Sequence, residues 1–180
     1  MNFVEPIRDK DIFRDIQARL KVDNMRNFVL IMTGTYTGLR ITDILKLKVK
    51  DVRNKKYIDI REQKTYKRNL IEINMELRRV YKEYCNNMHD EEYLFRKKDI
   101  NKPIGRNQAW KIMKKVQEQF KLDNLGTHTL RKTFGYHYYN QTGDIATLMK
   151  MFNHSKEEIT LRYIGITQES MNEARRNFKI

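Results

Sequence analysis

Arg40, Lys64, His128, Arg131, His154 and Tyr163 are the residues of this sequence whose types and spacing could do chemistry together. They fall in four short segments. Thr37-Gly38-Leu39-Arg40-Ile41-Thr42-Asp43 is the first, Gln63-Lys64-Thr65 the second, His128-Thr129-Leu130-Arg131 the third, and Asn153-His154-Ser155 the fourth, with Tyr163 nine residues beyond His154. Taken singly, each segment has an ordinary structural reading: a surface arginine, a solvated lysine, a packed histidine, one of ten tyrosines. Taken as a set, they suit attack on a phosphodiester. Guanidinium groups are planar, permanently charged and bidentate toward phosphate, so Arg40 and Arg131 could clamp the non-bridging oxygens. Preorganised charge of this kind is worth about 3–4 kcal/mol per donor. A tyrosine hydroxyl, with its ordinary pKa of about 10, needs help to become a nucleophile. Cationic neighbours favour the phenolate, His128 is the expected general base, and His154 could add a hydrogen bond to the phosphate. Lys64 could protonate the departing oxygen, with Lys67 in the same turn as the second choice.

The order Arg, Lys, His-x-x-Arg, His, Tyr resembles the tyrosine recombinase, or phage integrase, family. The likeness extends to the acidic residue three past the first arginine (Asp43), to a lysine in a hairpin (Lys64), to the 23 residues from Arg131 to His154 and to the nine from there to Tyr163. It runs from about residue 8 to 178. The resemblance implies the DNA breaking-rejoining catalytic-domain fold. It also implies site-specific recombination of double-stranded DNA through a 3′-phosphotyrosyl link and a free 5′-hydroxyl, with Tyr163 as nucleophile. Because the link stores the phosphodiester energy, rejoining needs no ATP and no metal. No Walker-type loop and no paired carboxylate cluster stands against this, so no cofactor and no metal is expected. Asp43, one helical turn past Arg40, is expected to orient an arginine or histidine of the site by a charge-assisted hydrogen bond.

The elements that must position these residues read as mainly α with a small three-stranded antiparallel sheet, an α+β pattern. Helices are expected over 8–21, 24–36, 41–47, 75–88, 106–120, 128–141, 144–152, 156–164 and 168–178. Strands are expected around Leu47 and Val49, over Tyr57-Ile58-Ile60, and over Leu70-Ile71-Ile73, with the polar, basic stretch Arg61 to Asn69 as a hairpin turn. On 106–120 the stripe Ala109, Ile112, Met113, Val116 and Phe120 reads as core. Lys111, Lys114 and Lys115 fall off that stripe, either as a solvated face or in contact with phosphates. Lys67 and Arg68 are further candidate DNA contacts.

With 37 Lys plus Arg against 23 Asp plus Glu, the net charge of +14 points to a polyanionic partner. The single cysteine, Cys85, excludes an internal disulfide framework and fits a reducing cytosol, so a cytoplasmic protein of bacterial or phage origin is expected. The N-terminus has no signal-peptide pattern, and the longest apolar run, 28–32, is too short to span a bilayer. One domain is expected over 1–180.

Two departures from the family stand out. Phe152-Asn153-His154 replaces the usual Leu-Gly-His. Asn is the residue next most tolerant of the left-handed turn that Gly implies. Only about 35 residues precede the first motif, where most members carry a separate DNA-gripping domain of roughly 80–100 residues. The expectation is an excised catalytic domain or a natural minimal form, with weaker, salt-sensitive DNA binding. Two other functions share the pattern: type IB topoisomerase relaxation, and a non-catalytic DNA-binding module. The last segment, with Met171, Ala174 and Phe178, needs a partner surface, in its own chain or in a neighbouring protomer of a tetramer on DNA.

Overall fold

In the computed structural model the described residues are 4–166 and 168–178. Helix α1 (Lys10–Asp23) starts where the Asp9 carboxylate accepts the Asp11 and Ile12 amides at 2.7 and 3.0 Å, satisfying donors that a helix start leaves open. Helix α2 (Met25–Thr37) is capped by the Asn24 side chain and is buried along most of its length. It forms the centre of the main core, packed on α1, on α4 (Met75–Tyr84) and on α6 (Thr129–Thr142). Gly38 ends α2 in the left-handed region at φ 63°. The next helix, α3 (Ile41–Ile44), is shorter than expected. Its last amides, Lys46 and Leu47, bond to carbonyls three residues back, so the chain tightens and stops rather than continuing to 47.

The sheet differs from expectation in strand number. Strands β1 (Tyr57–Arg61) and β2 (Arg68–Glu72) pair antiparallel, with Ile58 opposite Ile71 and Arg61 opposite Arg68, and they make a two-stranded sheet. Leu47 and Val49, expected to open a third strand, are buried but pair elsewhere. The Leu94 amide donates to the Leu47 carbonyl at 2.8 Å and the Val49 amide to Glu92 at 2.9 Å, around an isolated Lys48–Tyr93 bridge. The Asp51 carboxylate takes the Lys48 amide at 2.8 Å, and Val49–Asp51 curl into a 3₁₀ turn that cannot extend a ladder. The mainly helical class with a small antiparallel sheet stands.

Helix α5 (Arg106–Gln119) buries Ala109, Ile112, Met113 and Val116 of the expected stripe, and Phe120, just past its end, is half-buried against the same core. Beyond α6, helices α7 (Ile145–Phe152) and α8 (Glu157–Tyr163) build a second, smaller core of Leu148, Phe152 and Ile164. Helix α9 (Gln168–Asn177) follows. Of its expected stripe, the Met171 and Ala174 side chains lie outside the described residues, and Phe178 just past it is exposed. Residues 4–8 lie against α6 and the turn after α8. The Ile7 amide donates to the Thr133 hydroxyl at 2.9 Å, and Arg8 bonds both Glu5 and the Gly165 carbonyl. Among the described residues, no helix is long and apolar enough to cross a membrane.

Candidate active site

Arg131 sits at the seam between the two cores and is almost fully buried. Its guanidinium donates to the Gly38 carbonyl at the end of α2 and to the Phe152 carbonyl at the end of α7 (3.3 Å), and it stacks 4.2 Å from the Phe152 ring centroid. Buried charge is tolerated only when its donors are met; these two carbonyls take two of the guanidinium's five N–H groups and leave others for the site. Each exists as an acceptor because a left-handed residue ends the helix there: Gly38 after α2 and Asn153, φ 55°, after α7. Asn153 thus adopts the turn expected of it. At Gly38 an added Cβ would lie 2.5 Å from the Phe134 ring, so the position is closed to side chains on space as well as on φ.

Tyr163, the last residue of α8, turns its hydroxyl toward this seam. The His128 Nδ1 is 3.3 Å from it, and the Arg131 guanidinium is near enough for its charge to act on it. Its ring packs edge-on against Phe152 and His154, at 5.4 and 5.3 Å between centroids. Burial raises the Tyr163 pKa above the ordinary value, against the pull of Arg131 and Arg40. The hydroxyl therefore keeps its proton at neutral pH, and it would need a base to act as a nucleophile. His128 is suited to that task. Crowding by protein, then the positive charges of Arg131, Arg106, Lys132 and Arg40, hold its pKa below the usual histidine value, so it is neutral and can accept. The His154 pKa is lowered in the same way, by burial first and then by Arg131 and Arg40. Its Nδ1 is fixed 3.0 Å from the hydroxyl of fully buried Thr160.

The hairpin closes the site from the other side. The Arg40 guanidinium is paired with the Glu62 carboxylate at the base of the turn. Asp43 does not orient an arginine or a histidine by hydrogen bond, as was expected. Its Oδ1 accepts the Gln63 amide at 2.9 Å and its Oδ2, fully buried, has no hydrogen-bond partner. The reason is geometric: Asp43 lies on the buried side of α3, facing the hairpin backbone, while Glu62 faces Arg40. Lys64 is exposed at the tip of the turn, and its charge is felt at His154. Lys67 donates to the Asn153 side chain at 2.7 Å. Between hairpin and α7 lies a cleft of about 590 Å³, lined in part by Glu62, Thr65, Lys67, Asn153 and His154.

The structure therefore brings Arg40, His128, Arg131, His154 and Tyr163 together, with Lys64 and Lys67 on the rim. It distributes the other basic candidates more widely. Arg68 is paired with Asp59 across the strands at 2.6 Å. Lys111 and Lys115 line a groove with Asn24 and Asn27, at the end of α2 remote from Gly38, about 20 Å of helix away. Lys114 bonds Gln117 at 2.8 Å and lies over the Trp110 ring. His137 bonds the Ile7 carbonyl at 2.9 Å and His89 is exposed on a loop.

Sequence reasoning missed Glu62, Thr160, Phe152 and Lys132, whose ammonium lies 5.3 Å from the Tyr163 ring centroid. Only adjacency to named motifs could have pointed to them: Glu62 two before Lys64, Phe152 two before His154, Lys132 next to Arg131. Thr160 carried no signal. Among the described residues, no group of three His, Cys, Asp or Glu side chains could hold a metal ion.

Residues 9–170 match the model of the phage integrase family. The chain is 42% identical over 178 residues to the probable integrase/recombinase YoeC of Bacillus subtilis, covering 99% of this chain and 98% of that protein. It spans about half the length of several other curated relatives, tyrosine recombinases among them. The crystal structure of XerA recombinase superposes on 100% of this chain and 66% of its own with a TM-score of 0.75 at 17% identity. The Tn1549 transposon integrase in complex with a circular intermediate DNA matches 99% of this chain and 67% of its own, TM-score 0.74 at 16% identity. At these identities the two structures speak for the fold.

Proposed function

The chain belongs to the phage integrase family, the tyrosine-type site-specific recombinases, and from that premise we propose that Tyr163 cuts and rejoins double-stranded DNA. The observation that carries the reading is the convergence of Arg131, His128 and His154 on the Tyr163 hydroxyl and ring, with Arg40 close enough to act on its charge.

In the proposed reaction the Tyr163 oxygen attacks the scissile phosphorus and its proton passes to His128. The bond from phosphorus to the 5′ oxygen breaks, and Lys64 protonates that oxygen. Arg40 and Arg131 hold the non-bridging oxygens as charge builds on them, and His154, oriented by Thr160, adds a third donor. A 3′-phosphotyrosyl link and a free 5′-hydroxyl remain. Attack by a 5′-hydroxyl of the same or another strand reverses every step, so the phosphodiester is conserved. Before DNA arrives, Arg40 is held by Glu62, and the incoming phosphate competes for that guanidinium.

A nicked substrate that loses its 5′ fragment after cleavage should trap a covalent adduct with the wild-type chain. Tyr163→Phe should trap none while still binding DNA. An adduct with Tyr163→Phe, or none with wild type bound to DNA, overturns the reading. A two-site recombination assay run beside plasmid relaxation separates strand exchange from simple relaxation. Assembly of four protomers on DNA, with the segment around exposed Phe178 docked on a neighbour, is part of the proposal. Deletion of 168–180 should then abolish cooperative assembly.

A further inference from the structure

Resting on that reading, we propose that Glu62 is a positioning residue that fixes the turn bearing the general acid Lys64 against the arginine clamp. Two contacts of its carboxylate argue for it beside the Arg40 pair. Glu62 Oε2 accepts the Thr65 hydroxyl at 3.2 Å and Oε1 accepts the Asn69 amide at 2.8 Å. The Glu62 amide donates to the Lys67 carbonyl at 3.0 Å, closing the turn from within. One buried carboxylate thus ties both sides of the Lys64 turn to the residue that opens α3. The neighbouring Asp43–Gln63 bond doubles the tie one residue later.

The carboxylate is ionised. Burial alone would raise its pKa, but the Asn69 hydrogen bond and the Arg40 and Arg131 charges hold it below the usual range. Two opposite consequences follow. The negative charge beside Arg40 opposes the incoming phosphate, so Glu62 weakens the grip on DNA. The same group holds Thr65 and Asn69, so it keeps Lys64 aimed at the leaving oxygen. A residue needed only for folding would not separate these effects.

The test compares Glu62→Gln and Glu62→Ala with wild type on a DNA whose scissile 5′ oxygen is replaced by sulfur, because a thiolate leaves without being protonated. Both variants should bind ordinary DNA at least as tightly as wild type. Both should cleave it about 10- to 100-fold more slowly, a partial loss of the roughly 10²–10⁴-fold that a positioned general acid supplies. On the sulfur substrate they should return to within a few-fold of wild type, as Lys64→Ala should. Unrelieved slow cleavage of the sulfur substrate, undiminished cleavage of ordinary DNA, or weaker DNA binding by folded Glu62→Gln overturns the inference, and so does failure of the sulfur to rescue Lys64→Ala. If wild type forms no adduct on either DNA, it is the recombinase reading that fails.

Discussion

The Nδ1 of His128 lies 3.3 Å from the Tyr163 hydroxyl, and the two rings meet at 83°, edge to face. The histidine opens α6 and the tyrosine closes α8, so the pair joins the two ends of the small core. Because the His128 pKa is lowered, its inactive, protonated form accumulates only below about 6.5. Single-turnover cleavage should therefore rise with pH, with its half-point below that value, and level off above it. His128→Gln should cleave roughly 10²–10⁴-fold more slowly and lose the half-point. His154→Gln should be slower but keep it. A half-point that survives in His128→Gln would assign the base elsewhere.

Burial raises the Asp43 pKa, the Gln63 amide lowers it, and the nearby Glu62 charge raises it further. A carboxyl that titrates higher in the folded state than its unfolded value near 4 favours folding most at low pH, and that contribution is lost as pH rises through the folded value. At neutral pH the charge is a burden, carried by an oxygen with no partner. Asp43→Asn keeps an acceptor for Gln63 and should be as stable as wild type or more so at pH 7. Asp43→Ala strands the Gln63 amide and should lose about 1–3 kcal/mol. Urea denaturation at pH 5 and 7 decides this: an Asn variant less stable than the Ala variant would refute it.

Gly135 lies on α6, where an added Cβ would stand 2.7 Å from Ile164, next to Tyr163, and 2.8 Å from Phe152. Alanine is the better helix former by about 1 kcal/mol, but overpacking a closed core costs about 1–3 kcal/mol. The clash should win. Gly135→Ala should melt at a lower temperature and cleave more slowly, since Ile164 adjoins Tyr163 and Phe152 floors the site. A higher melting temperature would show that the small core yields.

Asn153 holds φ 55° at the end of α7. Asn153→Gly should fold at least as well as wild type, while Asn153→Ala should fall below the glycine variant by about 1 kcal/mol. Thermal denaturation of the pair measures the difference. Both variants free Lys67, so a defect in DNA binding common to the two reports on that contact, independently of backbone strain.

The candidate set was legible because transesterification limits which side chains would serve, and because two spacings, His128 to Arg131 and His154 to Tyr163, are short enough to be read locally. The helices were legible from apolar periodicity, as in the Ala109–Val116 stripe. What could not be read was pairing across long separations. Leu47 and Val49 look like a strand of the hairpin sheet; that they pair with 92–94 instead depends on where Asp51 turns the chain. Asp43 was assigned a guanidinium or an imidazole because it lies close in sequence to Arg40, yet it binds the Gln63 backbone 20 residues on. The carboxylate that does hold Arg40 is Glu62, 22 residues away, and no local pattern marks it.

The Arg131–Gly38 bond spans 93 residues and the Ile7–Thr133 bond 126. Such contacts can form only once the whole intervening chain is present, and pairings at this separation slow folding. During synthesis, α2 keeps an apolar face uncovered until α6 docks on it, and the candidate site is incomplete until Tyr163 has left the ribosome. On the proposed reading, a chain interrupted before that point carries basic surface but lacks the proposed nucleophile, so the order of the sequence would supply the cutting group only after Arg40, Lys64, His128, Arg131 and His154.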